Sequence, residues 1–136
     1  MTTGIQLLRP SSLFSGAPYA YAAQAPPGSR FVFLAGACPL DSTGTTVGAG
    51  SHVAQAQAAL DNMELALAAA AASITDVIFT RVLVATIDRD DLRNVWGVVA
   101  ERFGDHRPAR SAIQSLDFGR KGEDARFMIE VAAYRG

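Results

Sequence analysis

Residues 77–86 read Val77-Ile78-Phe79-Thr80-Arg81-Val82-Leu83-Val84-Ala85-Thr86. The run is too rich in β-branched side chains for a helix, and its near-continuous apolar character is that of a buried strand. Helical patterns flank it on both sides. Upstream, Ser51 is a reasonable N-cap, and Val53, Ala56, Leu60, Met63 and Leu67 recur at spacings of three and four, predicting one apolar helix face. Gln55, Asp61, Asn62 and Glu64 populate the remainder of that helix. The alanine tract Ala66–Ala72 has high helix propensity and thin side chains, which permits close approach to a sheet, and Thr75-Asp76 is read as the end of the element. Downstream, Asp88–Asp91 suit the positive end of a helix dipole. Leu92, Val95, Trp96, Val99 and Phe103 then form an inward stripe, and Gly104 stops the helix.

Strands are predicted on either side of this centre. Pro18–Ala23 and Arg30–Gly36 are short, aromatic and β-branched, with a turn at Ala25–Ser29 between them. Pro39–Gly50 is a loop. Ala109–Leu116 and Ala125–Tyr134 close the chain as strands joined by the polar loop Asp117–Asp124, and a short strand at Ile5–Leu8 opens it. Two strand–helix–strand crossovers and a terminal hairpin predict a single α+β domain over residues 1–136, with both helices on one face of the sheet. In the last strand Phe127, Ile129, Val131 and Ala133 face the helices. Arg126, Met128, Glu130, Ala132 and Tyr134 make a mixed opposite face suited to another subunit.

Composition narrows the function. The 136 residues hold 12 basic and 13 acidic side chains, for a net charge of -1 and a hydrophobic share of 49%. Such a chain buries a core, and it lacks the cationic surplus of nucleic-acid binders. Cys38, the lone cysteine, has no partner for an internal disulfide. No apolar run reaches the ~18 residues of a membrane span, and the start lacks a signal-peptide pattern, so a cytoplasmic protein is expected. His52 and His106 have no second ligand at zinc-site spacing, so no metal is expected.

The tightest polar cluster is Gly104-Asp105-His106-Arg107-Pro108-Ala109-Arg110-Ser111. Pro108 fixes the start of the strand. Arg110 can fork onto a carboxylate, each charge-assisted contact contributing about 1.5–3 kcal/mol. It can equally pair with a structural acid or stand in water, and spacing leaves these alternatives open. His106 in a polar loop reads as a surface residue before it reads as a base. Cys38 reads as a small buried hydrophobe, Trp96 as core, and Lys121 as a solvated turn residue. Gly44–Gly50 lacks the order of a phosphate loop.

With these residues in place the chain resembles the Rid family, the reactive intermediate deaminases, also called YjgF and in older usage endoribonuclease L-PSP. The resemblance is carried by Ala35-Gly36-Ala37-Cys38-Pro39-Leu40-Asp41 with Gly44, by Gln55 with Leu60 and Asn62, by Asp76-Val77, by Pro108-Ala109-Arg110-Ser111 and by Ile129-Glu130. It implies a chorismate-mutase-like α+β fold, a mixed sheet with two helices on one face, assembled as a homotrimer with clefts between subunits. It also implies hydrolysis of small enamine or imine acids, of the 2-aminoacrylate and 2-iminopropionate type, to 2-oxo acids and ammonia, without cofactor or metal. By the same resemblance Arg110 clamps the substrate carboxylate, while Tyr19, Gly36 and Ala112 line the cleft.

Four departures mark the chain. Ala112 stands where family deaminases carry a cysteine, and Ala35 where serine is common. Met128 stands where a glutamate positions water, leaving Glu130, one pleat repeat along, as its substitute. An asparagine expected in the second helix falls at Trp96, two positions from Asn94. The expected partners are a carboxylate-bearing imine or enamine and other copies of the chain, with neither nucleic acid nor membrane. Three rivals stand beside the small-imine deaminase. They are a pathway-specific deaminase of a larger enamine acid, a carboxylate-binding trimer without turnover, and RNA cleavage, which only the older name suggests.

Overall fold

The computed structural model describes residues 4–115 and 125–135. In chain order the elements are β1 (Gln6–Leu8), β2 (Ala22–Gln24), β3 (Arg30–Ala37), α1 (His52–Ala69), β4 (Val77–Ala85), α2 (Arg89–Phe103), β5 (Ala109–Ser115) and β6 (Phe127–Arg135). A 3₁₀ turn at Ile74–Asp76 leads into β4. The predicted loop Asp117–Asp124, with Lys121, lies outside the described residues.

The main sheet has the order β3-β6-β4-β5. Strands β3 and β4 both pair antiparallel with β6, whereas β4 and β5 run parallel. The predicted terminal hairpin is therefore corrected, because β6 inserts between β3 and β4. Burial explains the choice. Phe127, Ile129, Val131 and Ala133 are at most 4% exposed, and a strand with such a face belongs at the centre of a covered sheet. The exposed residues of β5 suit an edge, and a parallel β4–β5 pair needs the crossover that α2 supplies.

Both helices cover the same face, as predicted. Leu60, Met63 and Leu67 of α1 meet Val95 and Val99 of α2 above Val82, Val84, Phe127 and Ile129. Arg102 ties the helices on their outer side through Glu64 at 2.8 Å and Asp61 at 2.9 Å. The other sheet face stays open. Phe31 and Phe33 are 60% and 78% exposed there, with ring centroids 6.3 Å apart, while Val32 and Leu34 turn to the core.

Three local expectations are revised. First, the strand predicted at Pro18–Ala23 is confined to Ala22–Gln24, which pairs with β1 as a separate ribbon. Before it, the Arg9 guanidinium donates to the carbonyls of Ser15, Ala17 and Tyr19, replacing a strand ladder. Second, α1 ends at Ala69 rather than at Thr75-Asp76. Ala71 takes φ +56°, and the Ala72 and Ala71 N–H groups bond back to Leu67 and Ala68, a left-handed stop made without glycine. Nothing in an alanine tract announces that ending.

Third, Val53 is 40% exposed whereas Gln55 is fully buried. The Gln55 Oε1 accepts from the Arg126 backbone N–H at 2.6 Å, and its Nε2 donates to the Gly48 carbonyl at 3.3 Å. One amide thus joins α1, the 39–50 loop and the start of β6. Asn62, two turns further on, donates to the carbonyls of Cys38 and Leu40, both at 2.8 Å. Gly48, at φ +76°, lets this loop press against Ala54, where a Cβ would collide.

Gln55→Ala removes both the packing and the acceptor of a buried donor. It is expected to lower stability by about 2–4 kcal/mol, read from the denaturant midpoint. Gln55→Leu should recover only the packing part. An unchanged midpoint in Gln55→Ala would show that the clasp contributes nothing.

Candidate active site

The strand period decides which side chains can meet. Thr80, Val82 and Val84 of β4 point to the helices, whereas Arg81 and Leu83 point away. The parallel register sets Thr80 beside Arg110, Val82 beside Ala112 and Val84 beside Gln114. Arg110, Ala112 and Gln114 therefore line the helix side of β5, under α2. Pro108 is buried at the strand's start, and Ala109 bridges to Ala20.

Arg110 is only 6% exposed. Its guanidinium carbon lies 5.2 Å from the ring centre of Trp96 and 4.9 Å from that of Phe103. These aromatics stand seven residues apart on α2, two turns along one face, so both reach the same side chain. Cation–π contacts of this kind contribute about 2 kcal/mol when water is excluded. They offer the guanidinium no hydrogen-bond acceptor along its edge. There Nε and Nη2 are buried without a hydrogen-bond partner, as is the Thr80 hydroxyl. Burial, aided by the like charge of Arg107, lowers the Arg110 pKa to about 10. Among the described residues, neither the structural ion pair nor the solvated arginine left open by spacing is observed.

Beyond Arg110, α2 stands clear of the sheet over a cavity of about 580 Å³. Val82, Val84 and Ala112 form its floor, Leu92, Val95 and Trp96 its roof, and Arg89, Arg93 and Gln114 its far end. Trp96, read from the sequence as core, is therefore a site residue: it is partly exposed, lines the cavity and stacks on Arg110. Phe103 is buried, as its place on the inward stripe predicts, and its contact with Arg110 is a feature that the stripe alone does not announce. The available signal was the pairing of two aromatics at a seven-residue spacing with a strand that begins Ala-Arg.

The other expected site residues divide between the faces. Tyr19 is half-buried, edge-on to Tyr21 at 5.7 Å, in the segment that the Ala20–Ala109 bridge draws alongside β5. Gly36 lies at a register irregularity of β3, and a Cβ there would fall on the Met128 side chain. Met128 and Glu130 alternate with the core residues of β6 and face away from the helices. Glu130 pairs there with Arg81, Nε to Oε1 at 2.9 Å. Within one chain the sheet thus separates Glu130, Met128 and Gly36 from Arg110 and Ala112.

The remaining candidates are structural. His106 Nε2 lies 2.8 Å from the Val77 carbonyl, and its ring stacks on Phe103 at 6.4 Å. His52 sits between the Ala85 carbonyl at 3.1 Å and Asp91 at 3.7 Å. Cys38 is half-buried, its carbonyl held by Asn62. Among the described residues no three His, Cys, Asp or Glu side chains gather to hold a metal, and no helix is long and apolar enough to cross a membrane.

Comparison with known proteins agrees with this architecture. The family model described as endoribonuclease L-PSP matches residues 11–135. A RutC family protein of Pyrococcus horikoshii is 34% identical over 118 residues, 87% of each chain. Protein DfrA of Myxococcus xanthus is 32% identical over 97 residues, 71% of this chain and 72% of its own. The crystal structure of a conserved Rid family protein of unknown function from Yersinia pestis superposes with a TM-score of 0.86 at 22% identity, covering 96% of this chain and 98% of its own, a likeness of fold. E. coli TdcF, crystallised with bound serine, is 27% identical with a TM-score of 0.68, over 88% and 90% of the two chains. An arginine in the Pro-Ala-Arg-Ser strand, two helices over a β3-β6-β4-β5 sheet and a match along nearly the whole chain lead to one conclusion: this protein belongs to the Rid (YjgF, endoribonuclease L-PSP) family.

Proposed function

We propose that this chain is a deaminase that hydrolyses enamine and imine acids of the 2-aminoacrylate and 2-iminopropionate type to 2-oxo acids and ammonia, and that it accepts side chains larger than methyl. One observation carries the reading. A guanidinium is buried with Nε and Nη2, the two donors of its side-on fork, unpaired. That edge matches the two oxygens of a carboxylate, and a buried unpaired donor costs about 1–3 kcal/mol until an acceptor arrives. The bound serine of TdcF, an amino acid carrying a carboxylate, supports the same ligand class.

The chemistry makes small demands. An enamine acid gains a proton at C3 and gives one up from nitrogen to become the imine, whose C2 is already electrophilic. Water adds to C2, a proton passes from oxygen to nitrogen, and the C–N bond breaks to release ammonia and leave the 2-oxo acid. Holding the carboxylate against Arg110 and a water beside the Thr80 hydroxyl is the protein's share. Positioning of this kind contributes up to roughly 7–11 kcal/mol in favourable cases. The apolar floor at Val82, Val84 and Ala112 suits a larger side chain on C3.

We further propose that the working form is a homotrimer. The exposed Phe31 and Phe33, and the mixed row of Met128, Glu130 and Ala132, make a face fit to be covered by other copies. Tyr19, Gly36 and Glu130 take part in catalysis only if such a seam brings them to Arg110, since the sheet separates Gly36 and Glu130 from it in one chain. A second reading, carboxylate binding without turnover, is favoured by Met128 and by the Glu130–Arg81 pair, which occupies the one carboxylate expected to manage water.

Ammonia release from 2-aminoacrylate generated in situ tests the function. The wild type should exceed the uncatalysed rate, and Arg110→Ala should fall back to it. An equal rate in the variant would refute the assignment. Carboxylate binding without acceleration would select the second reading, with Met128→Glu then expected to gain activity.

The lowered Arg110 pKa sets a pH limit. Burial brings the Arg110 pKa down to about 10, so the folded chain loses this proton at a lower pH than the unfolded chain does, and the charge that binds a carboxylate goes with it. Carboxylate affinity should be flat from about pH 7 to 9 and fall through about 10. Undiminished affinity at about pH 11 would contradict Arg110 as the anion holder. Sedimentation should give three times the 14.3 kDa chain mass, and a stable monomer would exclude the shared cleft.

A further inference from the structure

We infer that the end of the cavity away from Arg110 is a second anion subsite, built on Arg89 and Arg93, so that the acid bound here carries an anionic group at each end of an apolar body. The inference rests on the reading of Arg110 as the carboxylate holder and adds a substrate class to it.

The cavity has an order along the strand. Arg110, Ala112 and Gln114 point the same way at two-residue steps, level with Thr80, Val82 and Val84. Helix α2 runs back above them. Its later turns place Trp96 and Phe103 over Arg110, while its first turns bring Arg89 and Arg93 to the end where Gln114 lies. The Gln114 amide donates to the Thr86 carbonyl, which pins that end of β5 to the segment before α2. Between the two ends the lining is Val82, Val84, Leu92 and Ala112, which offers a polar ligand atom nothing. Four residues of strand separate Arg110 from Gln114, about 13 Å.

The charges at the far end are unbalanced towards the cavity. Among the described residues Arg89 makes no ion pair or side-chain hydrogen bond. Arg93 pairs with Asp90 at 2.9 Å, but both side chains are more than 70% exposed, and such a pair is readily exchanged. The nearby acids are engaged elsewhere. Asp91 accepts from the Thr86 hydroxyl at 2.6 Å and faces His52, and Asp88 caps the Asp90 N–H at 2.9 Å. Among the described residues no carboxylate lines the cavity. Two like charges four residues apart on a helix repel, and an anion between them removes the repulsion. Paired guanidinium groups one turn apart suit a carboxylate or a phosphate, both oxygen-rich planar or tetrahedral anions.

The test is calorimetric titration of the full chain at low ionic strength with three probes of similar length, on the order of 10 Å. These are octanoate with one anionic end, suberate with two carboxylates, and 6-phosphonohexanoate with a carboxylate and a phosphonate. At least one doubly anionic probe should bind about tenfold more tightly than octanoate, and the tighter of the two identifies the far group. The advantage should shrink to within about twofold in Arg89→Ala/Arg93→Ala, with octanoate affinity unchanged, and largely return in Arg89→Lys/Arg93→Lys. Equal affinity of all three probes for the wild type, or an advantage that survives the double alanine variant, would overturn the second subsite. The two readings fail separately. Octanoate that binds and is lost in Arg110→Ala, with no preference for a second charge, defeats only this inference, whereas failure of every probe to bind defeats both.

Discussion

A guanidinium withdrawn from water, with no acid beside it among the described residues, is the constraint on which the arrangement of α2 over β5 depends. Removing such a charge from solvent costs several kcal/mol even after relaxation. Among the described residues the return is its contact with the rings of Trp96 and Phe103. That contact requires Arg110 on the helix side of β5, which the parallel register with Thr80 provides. It also requires α2 to present two aromatics two turns apart, and the helix to ride high enough to admit them. The cavity beside Arg110 follows from that spacing. An anion reaching the open edge meets donors that are already desolvated and oriented, so little of its binding free energy is consumed in ordering the site.

The division of the molecule into layers was legible from the chain because it follows local periods. The β-branched run at 77–86, the Ser51 cap and the Leu60, Met63 and Leu67 stripe each announce themselves within a few residues. Strand order did not. That β6 lies between β3 and β4 depends on which faces must be covered at once, a non-local condition that a neighbour-pairing expectation cannot supply. The same gap hid the parity of the site. Glu130 and Arg110 look like partners along the chain, yet they occupy opposite faces of one sheet. Hydrophobicity also misplaced individual residues. Val53 stands in solvent and Gln55 in the core, because a buried amide with partners at both ends is better accommodated there than its polarity suggests. Trp96 reads as core from the chain because of its large apolar ring, the same property that lets it lie against Arg110.

The residues that carry the family likeness serve two different ends. Gln55, Asn62 and the glycines of the 39–50 loop are architectural, since their hydrogen bonds and close approaches fix that loop to α1 and to the start of β6. Arg110 is the residue on which the proposed site is built. Around it, this chain departs from the deaminase pattern at Ala35, Ala112 and Met128, always toward a less polar side chain. The scaffold and the buried arginine are present while the polar groups that the family pattern places around it are thinned. A reaction whose electrophile is already activated tolerates that change, whereas one dependent on an elaborate proton relay would not.

Trp96 is the protein's sole tryptophan. Its indole, pressed against a cation on one side and opening on the cavity, makes the tryptophan emission of this protein, excited to the red of tyrosine absorption, a report on this one position. Excited-state charge moves across an indole ring, so the neighbouring guanidinium shifts the emission maximum, and neutralising that guanidinium with an anion shifts it back. The molecule thereby carries its own optical probe at the proposed anion site.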